Sequence, residues 1–500
     1  MLACVLASPT IAAKLGAQGL DASPASTCGL PAASRSATTN DVDSRVLVRF
    51  GTSFSTAPEE AIVSRALGYL TAERIRQVVS ADVRARGLTA GERPQSTSAA
   101  VEEGRVLGVR FILLAIVNLK DERIMVSYRL IDARSGREAG SGVLSRPLMN
   151  IEQLVEFMGS MMAREFKTAG QPVRSANKVR TTTSPALMAF LRAVTLLDTF
   201  DRAQMDEIDA LLMSAVAKDP TFEAAHLHAA QVAVRRLEYV EQQSSARATS
   251  VHRGLGHASA VLRTDPYSPQ ALALLGRLHL AAGDTALARI DADALRRHEP
   301  RDVASVLTLE ALRLQSIGRD NDALQRLRAA TAHDVRDVGL LMTYADLERR
   351  VGDSKSACRA LNRVVTIDPG YAPAYVWRAV VRSTLGERRE AWADAEVAER
   401  LGRADWGSIT AALIDVSVHD TVRAQERIKV WMTAPRLASA GWLDLLLRAS
   451  VNHALHRAPA AQLSLARMDC DDPRRRALEH EPLLRYLRLP SACGGAKVAQ

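Results

Sequence analysis

Residues 341–369 read LMTYADLERRVGDSKSACRALNRVVTIDP, and one glycine in them, Gly352, keeps time with three others. Gly283, Gly318, Gly352 and Gly386 are separated by 35, 34 and 34 residues. Seven residues before each stands a small residue, Gly276, Ala311, Ala345 or Ala379, and five after each stands Ala288, Ala323, Ala357 or Ala391. Seventeen after each comes Pro300, Val335, Pro369 or Arg403, with Pro266 as the entry to the series. A period near 34 residues with this content is that of paired helices stacked into a solenoid. An ordinary helical bundle would not hold one phase through four such units. The period therefore assigns most of the chain to a binding scaffold.

The residue types follow from the geometry. Glycine at the turn supplies the left-handed backbone that ends helix A without a Cβ clash. The small residue on helix A and the alanine on helix B let two backbones approach, while Leu272, Leu307, Leu341 and Tyr375 fill the space between. On helix B, Ala292, Leu327, Leu361 and Ala395 recur at helical spacing. The pairs Asp265-Pro266, Glu299-Pro300 and Asp368-Pro369 close helix B, because proline cannot continue the helix before it.

These positions resemble the tetratricopeptide repeat, which places small residues, glycine and proline at the same offsets. The chain departs from that pattern three residues after the small position, where the family prefers an aromatic and this sequence has His279, Leu314, Glu348 and Arg382. The array extends beyond its in-phase part, 266–403, in both directions. Helices are expected over 184–197 and 202–217 as a first pair and over 222–237, with about a dozen extra residues near 238–250. After Arg403 the phase fades, and helices over 409–418, 421–432, 441–455 and 459–468 lead to a last one in 481–488. Residues 184–403 are thus read as repeats and 404–490 as degenerate repeats and capping helices, which an open solenoid end needs.

From Arg45 to about residue 170 the rhythm changes. Strands are expected over 46–50, 82–86, 110–117, 123–132 and 138–143, and helices over 58–79, 97–107 and 151–166. Ile124, Val126, Tyr128 and Leu130 alternate as a half-buried strand should, and Lys120-Asp121 and Ser135-Gly136 fall at turns. The expectation is an α/β domain with a mixed sheet, followed by an all-α helical solenoid. The run from Gly104 through Leu113 (GRVLGVRFIL) and that from Met125 through Glu138 (MVSYRLIDARSGRE) resemble the TolB-like amino-terminal domain over residues 45–170. Arg49 stands where that family usually has proline. The resemblance implies a signalling setting, since this pairing with tetratricopeptide repeats is often appended in bacteria to serine/threonine kinases or adenylate cyclases.

Composition bounds the partners. Hydrophobic residues make up 47% and charged residues 24%, ordinary for a folded protein. The net charge of +9 arises from 65 basic and 56 acidic residues, interleaved along the helices without a run of aromatics. Solvated helix faces account for them, and no nucleic-acid partner is expected. The cysteines, at 4, 28, 358, 470 and 493, form no C-x-x-C pair, so neither a metal nor a cofactor is expected. Cys358 is read as a small core residue, and Cys470 with Cys493 as the pair to test for a disulfide. The apolar stretch 2–13 lacks a basic start and is too short to span a bilayer; it fits a poor signal, or the end of a membrane tether if the chain begins upstream. Residues 21–44 read as a linker unlikely to fold, with 1–44 outside the domains. An extracytoplasmic or membrane-associated setting is favoured.

No catalytic constellation emerges. The sequence has no glycine-rich kinase loop, His-Arg-Asp, Asp-Phe-Gly, Walker loop, H-E-x-x-H or G-x-S-x-G. His226 and His228, two apart, face different sides of a helix. The functional surface is expected on helices A, one, four and five positions beyond the small residue, with Arg277, Gln315, Asp346, Arg349 and Arg350 as groove residues and Arg349-Arg350 as a clamp for an acidic peptide. The sequence thus reads as a non-enzymatic scaffold for a protein or peptide. The alternative is the regulatory half of a bacterial kinase or cyclase without its catalytic domain.

Overall fold

The computed structural model describes Cys28, 45–52, 57–79, 82–85, 96–166, 179–199, 204–239, 244–298, 303–333, 338–367, 370–401, 404–417, 420–432, 442–466 and Leu484. The first unit is a five-stranded mixed sheet in the order β2-β1-β3-β4-β5. Strands β1 (Arg45–Thr52) and β2 (Asp82–Ala85) are parallel, β1 also runs parallel to β3 (Phe111–Lys120), and β4 (Arg123–Asp132) and β5 (Arg137–Pro147) complete an antiparallel meander. Helices α1 (Pro58–Val78) and α3 (Ile151–Glu165) cover one face and α2 (Thr97–Leu107) the other.

Alternation sorts β1 between the two faces. Val46, Val48 and Phe50 enter the core under α1 and α3, while Leu47 joins Ile112, Leu114 and Ile131 under α2. Arg49 shares the second face, where it is buried and paired with Glu103 of α2 at 2.8 Å, and β1 continues past it to Thr52. Helix α2 lies so close to the sheet that a Cβ on Gly104 would stand 2.4 Å from that of Ala133, which only glycine avoids. In β4, Ile124, Val126 and Leu130 are buried on one face while Met125 is exposed, and the same alternation places Ile131 on the α2 side.

The helical array follows as α4 (Ser184–Thr199), α5 (Met205–Lys218), α6 (Glu223–Tyr239), α7 (Ser244–Thr264), α8 (Pro269–Ala281), α9 (Thr285–His298), α10 (Val303–Ser316), α11 (Asp320–His333), α12 (Val338–Val351), α13 (Ser354–Ile367), α14 (Ala372–Thr384), α15 (Arg388–Leu401), α16 (Ala404–Ser417), α17 (Thr421–Met432), α18 (Trp442–Ala454) and α19 (Ala458–Ala466). From α4 to α17 each helix packs on the next, as does α18 on α19, and alternate helices touch from α6 to α8 to α10 and from α14 to α16 to α18. The extra residues before Ser250 lengthen α7, which runs for 21 residues.

The glycine turns are alike in detail. Gly283, Gly318, Gly352 and Gly386 have φ between +77° and +94°. The amide of each donates three residues back, and the next amide donates five back, as Asp284 to His279 (2.8 Å) and Asp353 to Glu348 (2.9 Å), closing a Schellman-type end. Asp284 and Asp353 then accept the first amides of the following helix, so one residue ends one helix and caps the next. The same turn recurs beyond Arg403. His456 stands at φ +58°, and Arg457 donates to Asn452 at 2.8 Å. Around it Ala449 and Ala461 are buried at the offsets of Ala345 and Ala357, so the period survives where glycine has been replaced by histidine.

No gap separates the sheet from the array. One core runs from Val46 through Phe190, Phe222 and Val232, because α4 packs on α1. Asp219, after α5, accepts from Thr181 Oγ1 (2.6 Å), the Thr182 amide (2.8 Å), and the amide and hydroxyl of Thr221 (2.9 and 2.7 Å). Thr183 in turn caps α4. Burial alone would raise the Asp219 pKa, but the bonds from Thr181 and Thr221 outweigh it and hold the carboxyl well below its usual range.

Cys28 departs from the expectation of an unstructured linker around it. It is buried and disulfide-bonded to Cys358, 330 residues away, with a Cα–Cα distance of 5.5 Å. Cys358 is therefore a bridged cysteine rather than only a small packing residue. Cys470, Cys493 and all of 481–488 except Leu484 lie outside the described residues.

Two measurements check this packing. Ala345 is buried between helices, so Ala345→Leu should overpack them and cost about 1–3 kcal/mol in urea unfolding; an unchanged midpoint would mean a wrong register. Because Asp219 titrates lower folded than unfolded, its contribution is complete above the unfolded carboxylate value, about pH 4, and is lost as pH falls towards the folded value. Asp219→Asn should therefore lower stability by roughly 1–3 kcal/mol at pH 7, and the gap to the parent should narrow by pH 3 in thermal scans.

Candidate functional site

Two features of the array concern binding: a pocket across helices A, and a set of charge pairs between helices. The pocket, of about 110 Å³, is lined by Ala273, Leu274 and Arg277 of α8, Ala304, Ser305, Thr308 and Leu309 of α10, and Leu340 of α12. Residues of three consecutive A helices line it, and α8 and α10 come close because the small residue of α8 allows it. That residue is Gly276, and a Cβ on it would stand 2.8 Å from the Leu309 methyl carbons. The floor is alanine and leucine, and the rim carries a guanidinium and two hydroxyls. Thr308 donates to the Ala304 carbonyl at 2.7 Å, so towards a ligand its oxygen acts as an acceptor.

Of the five groove residues expected from the sequence, Arg277 lines this pocket. Gln315, the last residue but one of α10, is half-buried and lends its carbonyl to Gly318. Asp346, Arg349 and Arg350 stand together, but as an ion-pair cluster. Arg349 reaches Asp346 at 2.8 Å and stacks its guanidinium 4.2 Å from the Trp377 ring centre. Arg350 reaches Asp320 at 2.9 Å and Asp346 at 3.1 Å, and its side chain is 2% exposed. Burial pushes the Asp346 carboxyl up, but Arg349 and Arg350 outweigh that and hold it below its usual value. An acidic peptide would have to displace Asp346 and Asp320 to use these arginines. Ser305 and Thr308, which the sequence reading passed over, sit six and three residues before Ala311. Apart from Arg277, the lining residues therefore come from the first half of helix A, rather than the second half from which the candidates came.

Charge pairs account for three of the four departures from the repeat pattern, the fourth being the buried, apolar Leu314. His279 bonds Asp291 at 2.6 Å, fully buried Glu348 takes Arg328 in two bonds of 3.0 Å, and Arg382 reaches Asp394 at 2.7 Å. Where an aromatic would fill the space between helices, an ion pair or a histidine–carboxylate bond crosses it. Asp394 is the most heavily used, since Arg378 also bonds it at 2.9 and 2.5 Å while the carboxylate is nearly inaccessible. His228 and His226 diverge as expected: His228 is buried edge-on to Phe190, and His226 Nδ1 lies 3.0 Å from that of His257. Among the described residues no group of three His, Cys, Asp or Glu side chains is placed to hold a metal, and no helix is long and apolar enough to cross a membrane.

No protein-family model matches this sequence, and no curated protein matches it. Among solved structures it is similar to a tetratricopeptide repeat protein from Parabacteroides merdae, at 16% identity over 53% of this chain and 95% of that one, with a TM-score of 0.34. It is also similar to the human IFIT1 dimer with m7Gppp-AAAA, at 13% identity over 64% of this chain and 77% of that one, with a TM-score of 0.38. A third likeness is to the PelC dodecamer from Paraburkholderia phytofirmans, at 19% identity over 25% and 89%, with a TM-score of 0.18. At these scores the likenesses carry no weight for function. The repeat architecture rests on the chain's own turns and helix pairs.

Removing the central carboxylate tests the charge network. Asp394→Ala leaves Arg378 and Arg382 partly buried without their shared partner and should cost about 3–5 kcal/mol in chemical unfolding.

Proposed function

We propose that this chain is a non-enzymatic protein–protein interaction scaffold in bacterial signalling or envelope processes, and that it binds a protein or peptide across α8, α10 and α12. The pocket there carries the reading. It offers a guanidinium donor in Arg277 beside an accepting hydroxyl in Thr308, over a floor of alanine and leucine. An extended peptide presents the complementary set, carbonyls or a carboxylate together with amides, and small side chains to fit the floor. The absence of catalytic motifs from the sequence supports a binding role. The bacterial signalling setting is supported by the resemblance of residues 45–170 to the TolB-like domain. The Cys28–Cys358 disulfide supports an extracytoplasmic side, since such bonds persist in oxidising compartments.

The test needs no known partner. A random-peptide library displayed on phage is panned against the full chain. Enriched peptides are expected to be acidic or to end in a free carboxylate. Arg277→Glu should weaken them at least tenfold, while Arg389→Glu, an exposed arginine outside the pocket, should not. Peptides indifferent to both Arg277→Glu and Thr308→Tyr would overturn the site.

A further inference from the structure

Cys28 does more than form a bridge. Its carbonyl accepts from Asn362 Nδ2 at 2.5 Å, and its amide donates to Glu387 Oε1 at 2.6 Å. Both partners belong to one polar circuit. The Asn362 Oδ1 accepts from Arg378 at 2.9 Å, Arg378 bonds Asp394, and Asp394 accepts from Arg382 at 2.7 Å. Arg382 in turn faces the second oxygen of Glu387 at 3.9 Å. The circuit runs from the Cys28 carbonyl round to the Cys28 amide and closes only through its peptide groups.

The order of these contacts fixes the direction in which each group points. Because Arg378 can only donate, Asn362 must turn its oxygen to the guanidinium and its NH₂ to the space that Cys28 fills. Because Arg382 stands beside one oxygen of Glu387, the other oxygen faces the same space. The solenoid therefore presents one donor and one acceptor, set for the carbonyl and amide of a single residue, and Cys358 lies beside them for its side chain. Asn362, Asp394 and Cys358 are all buried. Without an occupant, the buried Asn362 amide would lose the bond it donates to Cys28, a cost of the kind an unsatisfied buried donor carries.

We propose that Asn362, Glu387 and Cys358 form a peptide-capture site between α13 and the start of α15. It reads the main chain of a cysteine in an incoming segment and fastens its side chain through a disulfide, and the chain's own Cys28 is the resident occupant. Main-chain bonds are indifferent to sequence, so selectivity for cysteine comes from Cys358. Closing the bond removes one hydrogen from each thiol. A disulfide-bearing oxidant takes up the two electrons and two protons and leaves as its own dithiol. This site uses none of the residues of the α8–α10–α12 pocket, so either can fail without the other.

The native chain is tested first. It is purified without reductant, its free thiols are alkylated under denaturing conditions, and its digest is analysed by mass. A Cys28–Cys358 linked peptide in the monomer is expected. Alkylation of both residues, or linkage of Cys28 to Cys358 of a second copy, would overturn resident occupancy in cis. Next, a synthetic peptide of residues 21–35 is added in excess with oxidised glutathione to folded Cys28→Ser, in which the resident segment is held by main-chain bonds alone and the Cys358 thiol is unbridged. One peptide should join Cys358, none when Cys358→Ser is added, and its reversible binding before oxidation should weaken at least tenfold in Asn362→Leu. The reduced parent chain, which keeps every residue of the site, should take up the same peptide. Attachment to Cys470 or Cys493 in place of Cys358, or binding indifferent to Asn362→Leu, would overturn the capture site.

Discussion

Among the described residues, each turn from helix A to helix B depends on one residue held at positive φ. Its amide and the next return to the carbonyls of the helix just ended, so the chain reverses with its backbone polar groups satisfied. The reversal fixes the angle between helix A and helix B. That angle in turn decides which positions can hold only glycine or alanine, and hence where adjacent helices come close. The pocket between α8 and α10 and the buried carboxylates of the helix pairs are consequences of this one constraint.

How much was legible follows from how local each constraint is. Left-handed glycine, small residues at helix contacts and proline at helix ends are each dictated within a few residues, so element order, strand alternation and the array from Pro266 to Arg403 could be read directly. Where the same turn is carried by His456, the sequence signal disappears although the hydrogen bonds do not. Histidine pays a conformational cost in that region that glycine avoids, and nothing local announces that it will be met. The burial of Arg349 and Arg350 was invisible for another reason. Their partners include Asp320, on the preceding B helix and 30 residues away, and only the stacked array brings the three together. The disulfide is the extreme case, since spacing offers no hint that position 28 meets position 358.

The charge pairs that replace the usual aromatics change the character of the array. Apolar contacts between helices tolerate small slides, whereas a carboxylate shared by two guanidinium groups is satisfied in one register only. Glu348 with Arg328, and Asp394 with Arg378 and Arg382, set the relative positions of neighbouring helices as well as filling the space between them. The same carboxylate also orients the residues that hold Cys28, so packing of the repeats and capture of the amino-terminal cysteine share one set of charges.

The core that runs without a break from β1 into α6 gives the sheet a second task. A stack of helix pairs ends on an apolar face that must be covered, and here α1 of the α/β unit packs on α4 of the first pair. The front of the array is thereby committed to one neighbour of one shape. Gain or loss of a repeat is least disruptive between α8 and α15, where the same glycine turn recurs every 34 or 35 residues, and most disruptive at α4, which has to match a sheet-backed surface. Lengthening of this scaffold over evolution should therefore proceed from its middle, with the sheet and the first pair inherited as a unit.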